Sequence, residues 1–200
     1  MELIGTVVRL QVQRSRLKPG ERGARRYDPA PLLAVEALDV GPRGVVGRTP
    51  GSAGELEAVL DVHHADHPDT RNVKLRNGLS LLPRAHYTLM RDRFGPHLVD
   101  GAAGESLLLD TTGPWTLDAL SGPLALELGG GELLPLTGVM VAEPCIEFSR
   151  FCLGAAPDEP VGPDVQAAMV DLSDGVRGFY VQVVGEGSIV AGSRLLRLPA

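Results

Sequence analysis

Apolar residues recur along this chain mainly in short runs, and the first of these runs alternates with polar residues. In residues 2–12 the apolar side chains include Val8, Leu10 and Val12, with polar neighbours between them. Such alternation is typical of a strand with one buried face. Further apolar runs bounded by turn-forming residues predict strands within residues 32–40, 56–62, 117–141, 180–184 and 188–198.

Two other stretches have helical periodicity. Residues 80–94 place Tyr87, Met90 and Phe94 on one face, with Ser80 as the expected N-cap and Pro83 in the first turn. We interpret this apolar stripe as core packing. Residues 163–172 repeat apolar residues at the same spacing and predict a second helix.

Many short strands with two modest helices are typical of a mainly β protein, here a closed β-barrel with a few peripheral α-helices. The chain has 200 residues, a length that suits one domain of about 100–200 residues. We therefore expect a single domain over residues 1–200, with a core at about 32–198 preceded by a strand and a basic loop in residues 1–31.

Composition excludes several functional classes. The net charge of -6 gives no general attraction to nucleic acid. No apolar stretch approaches the roughly 20 residues that cross a bilayer, and residues 1–10 lack a signal-peptide layout. The two cysteines provide no disulfide framework, which favours a cytoplasmic protein with reduced thiols.

Three loops carry candidate ligand contacts. The basic loop 14–31 contains Arg22, Arg25 and Arg26, and either a solvated loop or an anion contact explains them. The glycine-rich residues 41–54 predict a second loop, in which Arg48 is a candidate oxyanion contact. The third loop, 63–71, ends in Arg71.

Three histidines, His63, His64 and His67, lie close together in this third loop. A zinc site needs three or four ligands in tetrahedral array, whereas Asp66 and Pro68 favour a turn. We expect no zinc, and we leave open whether a histidine or Arg71 contacts a phosphate or pterin or whether the segment is only a loop.

The cysteines differ in their setting. Residues 133–141 predict a strand, and Pro144 should end strand pairing, so Cys145 is placed just past a strand end. There a thiol can be rigidly held and accessible, although a free cysteine is commonly a small buried hydrophobe. Cys152 lies between Phe151 and Leu153, an apolar setting that predicts a buried, inert thiol.

Four stretches resemble, in order, the motifs of MOSC domains, which are named after the C-terminal domain of molybdenum-cofactor sulfurases. Glu143-Pro144-Cys145 with Glu147-Phe148-Ser149 resembles the cysteine motif, and the loop 103–107 resembles a Gly-Glu-Asn-Leu loop. Residues 175–180 resemble an Arg-Gly-aromatic stretch, and residues 187–193 resemble the closing Gly-x-Ile-x-x-Gly-Asp. The chain departs from the family at Arg48, Ser106 and Ser193, where relatives carry Asp, Asn and Asp.

The resemblance implies a MOSC-type barrel that binds the molybdenum cofactor, with Cys145 as both the metal ligand and the catalytic residue. The candidate cofactor contacts are Arg48, Arg71, Gly104, Glu105 and Arg177. A tight turn is the alternative explanation for Gly104 and Glu105, and a surface position is the alternative for Arg177. If their loops converge on Cys145, the three arginines form one positive pocket on an acidic protein.

Two functions are compatible with this site. The first is a molybdoenzyme that reduces an N-hydroxylated base or amidoxime, a small-molecule substrate. The second is a non-catalytic carrier of sulfur or of the cofactor. A third alternative is a degenerate binding domain that has lost the metal. The sequence contains no ferredoxin-type cysteine cluster and no Gly-x-Gly-x-x-Gly motif before a helix. A redox or sulfur-donor partner protein is therefore expected.

Overall fold

A computed structural model describes residues 1–21, 23–52, 54–70, 72, 74 and 78–199. Its strands are β1 (Glu2–Gln13), β2 (Leu32–Ala34), β3 (Ala37–Gly41), β4 (Gly44–Pro50), β5 (Leu56–Leu60), β6 (Leu79–Pro83), β7 (Leu107–Asp110), β8 (Leu124–Glu127), β9 (Leu133–Val141), β10 (Phe179–Val183), β11 (Gly187–Val190) and β12 (Arg194–Arg197). The α-helices are α1 (Arg84–Phe94), α2 (Ile146–Leu153) and α3 (Pro163–Asp171), and a short 3-10 helix spans Leu117–Leu120.

Seven strands close a barrel in the order β1, β12, β8, β9, β10, β6, β7 and back to β1. Neighbouring strands are antiparallel except β6 and β7, which are parallel and joined by the crossover that contains α1. A closed ring leaves few exposed strand edges. The predicted mainly β barrel with peripheral helices is confirmed.

A second sheet packs on the outside of β1. It has the order β11, β3, β4, β5, and β2 pairs with the end of β1. A Cβ at Gly47 would lie 2.9 Å from side-chain carbons of Val12 and Val35, so this glycine permits close approach of the sheet. The prediction of a loop over residues 41–54 is therefore wrong for Gly44–Pro50, which form strand β4 of a hairpin. The glycines there allow the turn and the close packing.

Buried residues form two clusters, one shared by the barrel and the second sheet and one between the barrel and the helices. Leucines and valines dominate the first, among them Leu81, Leu107 and Val181. The second contains Tyr87, Met90, Phe148 and Cys152 together with two residues of the N-terminal loop. Because the second cluster connects α1, α2 and that loop, it forms the floor on which the candidate site is built.

The start of α1 differs from the prediction. Residues 79–83 form β6, and the helix begins only after its N-cap residue Pro83. Ser80 does not cap the helix, because its hydroxyl accepts the Ser106 N–H at 2.9 Å within the barrel. The core role of Tyr87 and Met90 is confirmed, since both are fully buried.

Elsewhere the predictions differ mainly in their bounds. Helix α3 and strands β1, β9 and β10 lie where the pattern places them. Residues 188–198 form two strands, β11 and β12, and residues 117–120 form the 3-10 helix. Helix α2 and strand β7 were not predicted. No helix within the described ranges has the length and apolar character needed to cross a bilayer.

Candidate functional site

A cavity of about 360 Å³ opens at one end of the barrel. Strand β9 ends there and β10 begins there, and the backbone N–H of Ala142 donates to the carbonyl of Gly178 at 2.9 Å. This bond holds the segment leading to Cys145 beside the segment that carries Arg177. The volume lies in the range of about 300–1,000 Å³ that is common for ligand pockets.

Cys145 lies just past the end of β9, as predicted, and is also the N-cap residue of α2. Its carbonyl accepts the Ser149 N–H at 2.9 Å, and its partly exposed thiol side lines the cavity. A helix N-terminus favours nearby negative charge. The arrangement therefore presents an accessible sulfur on a rigid element in a setting suited to an anion.

Arg177 lines the same cavity from the turn before β10. Its guanidinium carbon lies 4.4 Å from the centre of the Phe148 ring, a cation–π contact that fixes the side chain. Within the described part of the chain no carboxylate forms an ion pair with it, whereas Arg16 pairs with Asp69 at 3.1 Å. Arg177 is thus a charged group free to bind an oxyanion.

Gly104 and Glu105 precede β7 and also line the cavity. Gly104 has a φ of +82°, and a Cβ there would lie 2.8 Å from the Leu17 side chain. The Tyr87 hydroxyl donates to the Glu105 carboxylate, 2.9 Å from Oε2, and accepts the Ala103 N–H at 2.8 Å. From the sequence we predicted only a core role for Tyr87, because no residue near it in the sequence indicates that its hydroxyl holds Glu105.

The environment of Glu105 stabilises its neutral form. The residue is buried, and burial raises the pKa of its carboxyl to about 7. Its own backbone N–H, the Tyr87 hydroxyl and the charge of Arg177 act in the opposite direction. Near neutral pH this group can therefore either donate or accept a proton in the cavity.

The basic loop 14–31 covers part of the site. Leu17 and Tyr27 are buried, and the Tyr27 hydroxyl donates to the Ala102 carbonyl at 2.8 Å. The Tyr27 ring lies 4.9 Å from that of Phe148 in α2, so the loop is fastened to the second core cluster. The loop is mostly exposed, as predicted, but it is anchored by Leu17 and Tyr27, whose apolar character was the available signal. Arg22 lies outside the described residues.

Two other arginines, Arg48 and Arg71, were predicted to contact the cofactor. Arg48 is on β4, bonds to Asp39 at 2.6 Å and is not among the lining residues. Arg71 lies outside the described residues.

The cavity is not the positive pocket that was expected, because its described lining contains four basic and four acidic residues. These residues are Arg16, Lys18, Arg25, Arg177, Asp69, Glu105, Glu143 and Glu147.

Only one member of the histidine group lines the cavity, namely His63. His64 and His67 accept hydrogen bonds from backbone N–H groups of their own loop, at 3.2 and 3.1 Å. Across the described ranges no three His, Cys, Asp or Glu side chains are arranged to hold a metal ion. His64 therefore has a local role in the loop, whereas His67 also links the two loops, since its Nε2 donates to the Arg14 carbonyl at 3.1 Å.

His86 is a positioning residue that the sequence did not reveal. Its Nε2 accepts the Trp115 N–H at 2.7 Å, so Nδ1 carries the proton and donates to the Val176 carbonyl at 3.2 Å. Burial lowers the pKa of this imidazole, which keeps it neutral. The buried ring thereby fixes the turn that leads into Arg177.

We predict that a thiol reagent modifies Cys145 well before Cys152 in the native protein. Cys152 is fully buried in α2, and burial raises the pKa of its thiol to about 12, although Arg177 acts in the opposite direction. Cys145 is partly exposed on the cavity wall. Mass spectrometry after timed alkylation measures both rates, and faster labelling of Cys152 would reverse the assignment.

No protein-family model matches the sequence, and no curated protein does so either. Solved structures do match. The YuaD protein from Bacillus subtilis has 14% identity and a TM-score of 0.55, covering 96% of this chain and 94% of its own. YiiM from Escherichia coli has 15% identity and a TM-score of 0.52, covering 100% and 71%.

YiiM from Geobacillus stearothermophilus has 18% identity and a TM-score of 0.51, covering 98% of this chain and 75% of its own. At these identities the likeness concerns the fold alone.

Proposed function

We propose that the cavity binds the molybdenum cofactor through the Cys145 thiolate and that the protein reduces N-hydroxylated compounds. One observation carries the proposal. An accessible thiol at a helix N-terminus and a guanidinium with no carboxylate partner among the described residues line one ligand-sized cavity. The resemblance of the motifs to those of MOSC domains points to the same cofactor.

The residues present fit this group by their chemistry. A thiolate is a soft, strongly donating ligand suited to a high-valent metal. The cofactor carries a phosphate, which matches the planar fork of Arg177. Its pterin carries N–H donors, and Glu105 offers carboxyl oxygens to accept them. The three side chains therefore offer one contact each to the metal, the phosphate and the pterin.

A bound molybdenum centre would supply the two-electron reduction of an N–O bond. The chain contributes binding, orientation and proton control around it. Arg177 holds anionic charge, the loop fastened by Tyr27 limits access of water, and Glu105 retains a proton near neutral pH. Electrons would come from a separate redox partner, in line with the absence of cluster and dinucleotide motifs in the sequence.

The proposal is tested by producing the protein in a host with an intact molybdenum-cofactor pathway. Elemental analysis of the purified protein should give stoichiometric molybdenum. An aryl amidoxime with a reduced viologen dye as electron source should then yield the amidine. Protein without molybdenum would overturn the proposal, whereas bound molybdenum without turnover would favour the carrier function.

A further inference from the structure

We infer that His63, positioned by the buried Asp61, is the proton donor for the reaction in this cavity. The inference rests on the proposed function and assigns to it a residue outside the motifs that suggested it. Three observations support it: the position of His63 in the cavity wall, its bond to a buried carboxylate, and the unused second nitrogen of its ring.

Asp61 is held rigidly just beyond the end of β5. It is 3% exposed, and its Oδ2 accepts the Gln13 N–H at 2.7 Å. The backbone N–H of Val62 donates to the Gln13 carbonyl, also at 2.7 Å. Two bonds therefore fasten this segment to the end of β1. The carboxylate is buried but satisfied, as a buried charge must be.

The other oxygen of Asp61 orients His63. Oδ1 accepts the backbone N–H of His63 at 2.8 Å and lies 2.9 Å from Nδ1 of the ring. Because an ionised carboxylate can only accept, the proton of a neutral His63 must lie on Nδ1. With Nδ1 bonded to the carboxylate, Nε2 is the ring nitrogen left to exchange a proton.

Nε2 is available for this role. No hydrogen bond to it is found among the described residues, and the side chain is 30% exposed in the cavity wall. Partial exposure lets solvent reload the ring after each transfer. Arg16 and Asp69 are less suited because they pair with each other. Glu105 is less suited because it is 3% exposed, so solvent cannot reload it as readily as His63.

The reaction needs such a donor. Reduction of an amidoxime breaks the N–O bond, consumes two electrons and two protons, and yields an amidine and water. The electrons come from the external reductant. His63 as imidazolium passes its Nε2 proton to the departing hydroxyl, which leaves as water, and the second proton comes from solvent and forms the new N–H bond. Positioned acids of this kind contribute roughly 10²–10⁴-fold to rate.

The test compares His63→Gln with His67→Gln in molybdenum-loaded protein. His67 lies in the same loop but not in the cavity lining, and it bonds to the backbone at Asp69 and Arg14, so its variant controls for disturbance of the two loops. We expect both variants to contain molybdenum at the wild-type level. Turnover of the aryl amidoxime should fall about 100-fold in His63→Gln and stay near wild type in His67→Gln.

A second readout does not depend on turnover. In ¹⁵N-labelled wild type without cofactor, long-range ¹H–¹⁵N spectra should show the neutral His63 ring protonated at Nδ1. In Asp61→Asn this tautomer should no longer dominate. Protonation at Nε2 in the wild type would overturn the inference, and this measurement needs no variant that might misfold.

The outcomes separate the two proposals. Molybdenum at the wild-type level with turnover within about twofold in His63→Gln would overturn the role of His63 alone, since a general acid is worth far more. Wild-type protein that holds no molybdenum would overturn the proposed function and, with it, this assignment.

Discussion

Cys145→Ser is expected to abolish molybdenum binding while leaving the fold intact. A hydroxyl is a much poorer donor to a soft-ligand metal site than a thiolate. Cys145 is also the N-cap residue of α2, a position at which serine is preferred, so the metal-free variant should be as stable as wild type or more stable by up to about 1 kcal/mol. Elemental analysis and urea unfolding of metal-free protein measure the two effects.

Cys152→Ser is the matched control, because the same chemical change falls on the buried face of the same helix. Burying a hydroxyl without a partner costs about 1–3 kcal/mol, so this variant should lose stability. The folded fraction of this variant should still bind molybdenum. Equal molybdenum in wild type and Cys145→Ser would contradict the assignment of Cys145 as the ligand.

The parts of the fold that depend on local pattern could be predicted from the sequence. The bounds of β9 were predicted because its apolar run ends before Pro144, which cannot donate to a strand partner. Strand β1 was predicted from its alternation. A barrel followed from many such strands, although which strands pair was not indicated, since pairing depends on distant parts of the chain.

Mispredicted elements contain residues whose role is set by distant partners. Ser80 has the chemistry of a helix cap, but its bond partner Ser106 is 26 residues away across a parallel strand pair. Gly47 indicates a loop by its type, yet its lack of a side chain serves contact with Val12. In each case tertiary packing overrode local propensity.

In the candidate site, too, residues with local signals were predicted and residues that depend on distant partners were not. Cys145 stood out because a strand end and a proline are local signals. The role of Tyr87 depends on Glu105, which lies 18 residues further along the chain, and Arg48 pairs with Asp39 on the adjacent strand. The lining of the pocket was mispredicted because charge along a sequence does not indicate which side chains share a cavity.

Glu105→Gln is expected to remove a pH-dependent loss of stability. In the folded protein burial raises the pKa of Glu105 to about 7, whereas the ordinary value is 4.5. Below pH 4.5 both states of the wild type carry the proton. As the pH rises to about 7 only the folded state keeps it, so the unfolded state gains stability by ionising.

Each pKa unit corresponds to about 1.4 kcal/mol, so this one group should lower the free energy of unfolding by about 3 kcal/mol between these pH values. Glutamine cannot ionise but retains a carbonyl oxygen to accept the Tyr87 hydroxyl. The variant's stability should therefore decline less with rising pH. Because the amide can itself cost stability at low pH, the change with pH is the informative quantity.

Urea unfolding of metal-free protein at a series of pH values from 4.5 to 8 gives these free energies, with the lower limit set by the ordinary Glu pKa. Glu132→Gln is the control, because it makes the same substitution at an exposed position between β8 and β9. Its pH dependence should match that of wild type. If Glu105→Gln also follows the wild-type curve, Glu105 is ionised in the folded protein throughout this range, and the cavity lacks the proton-holding carboxyl described above.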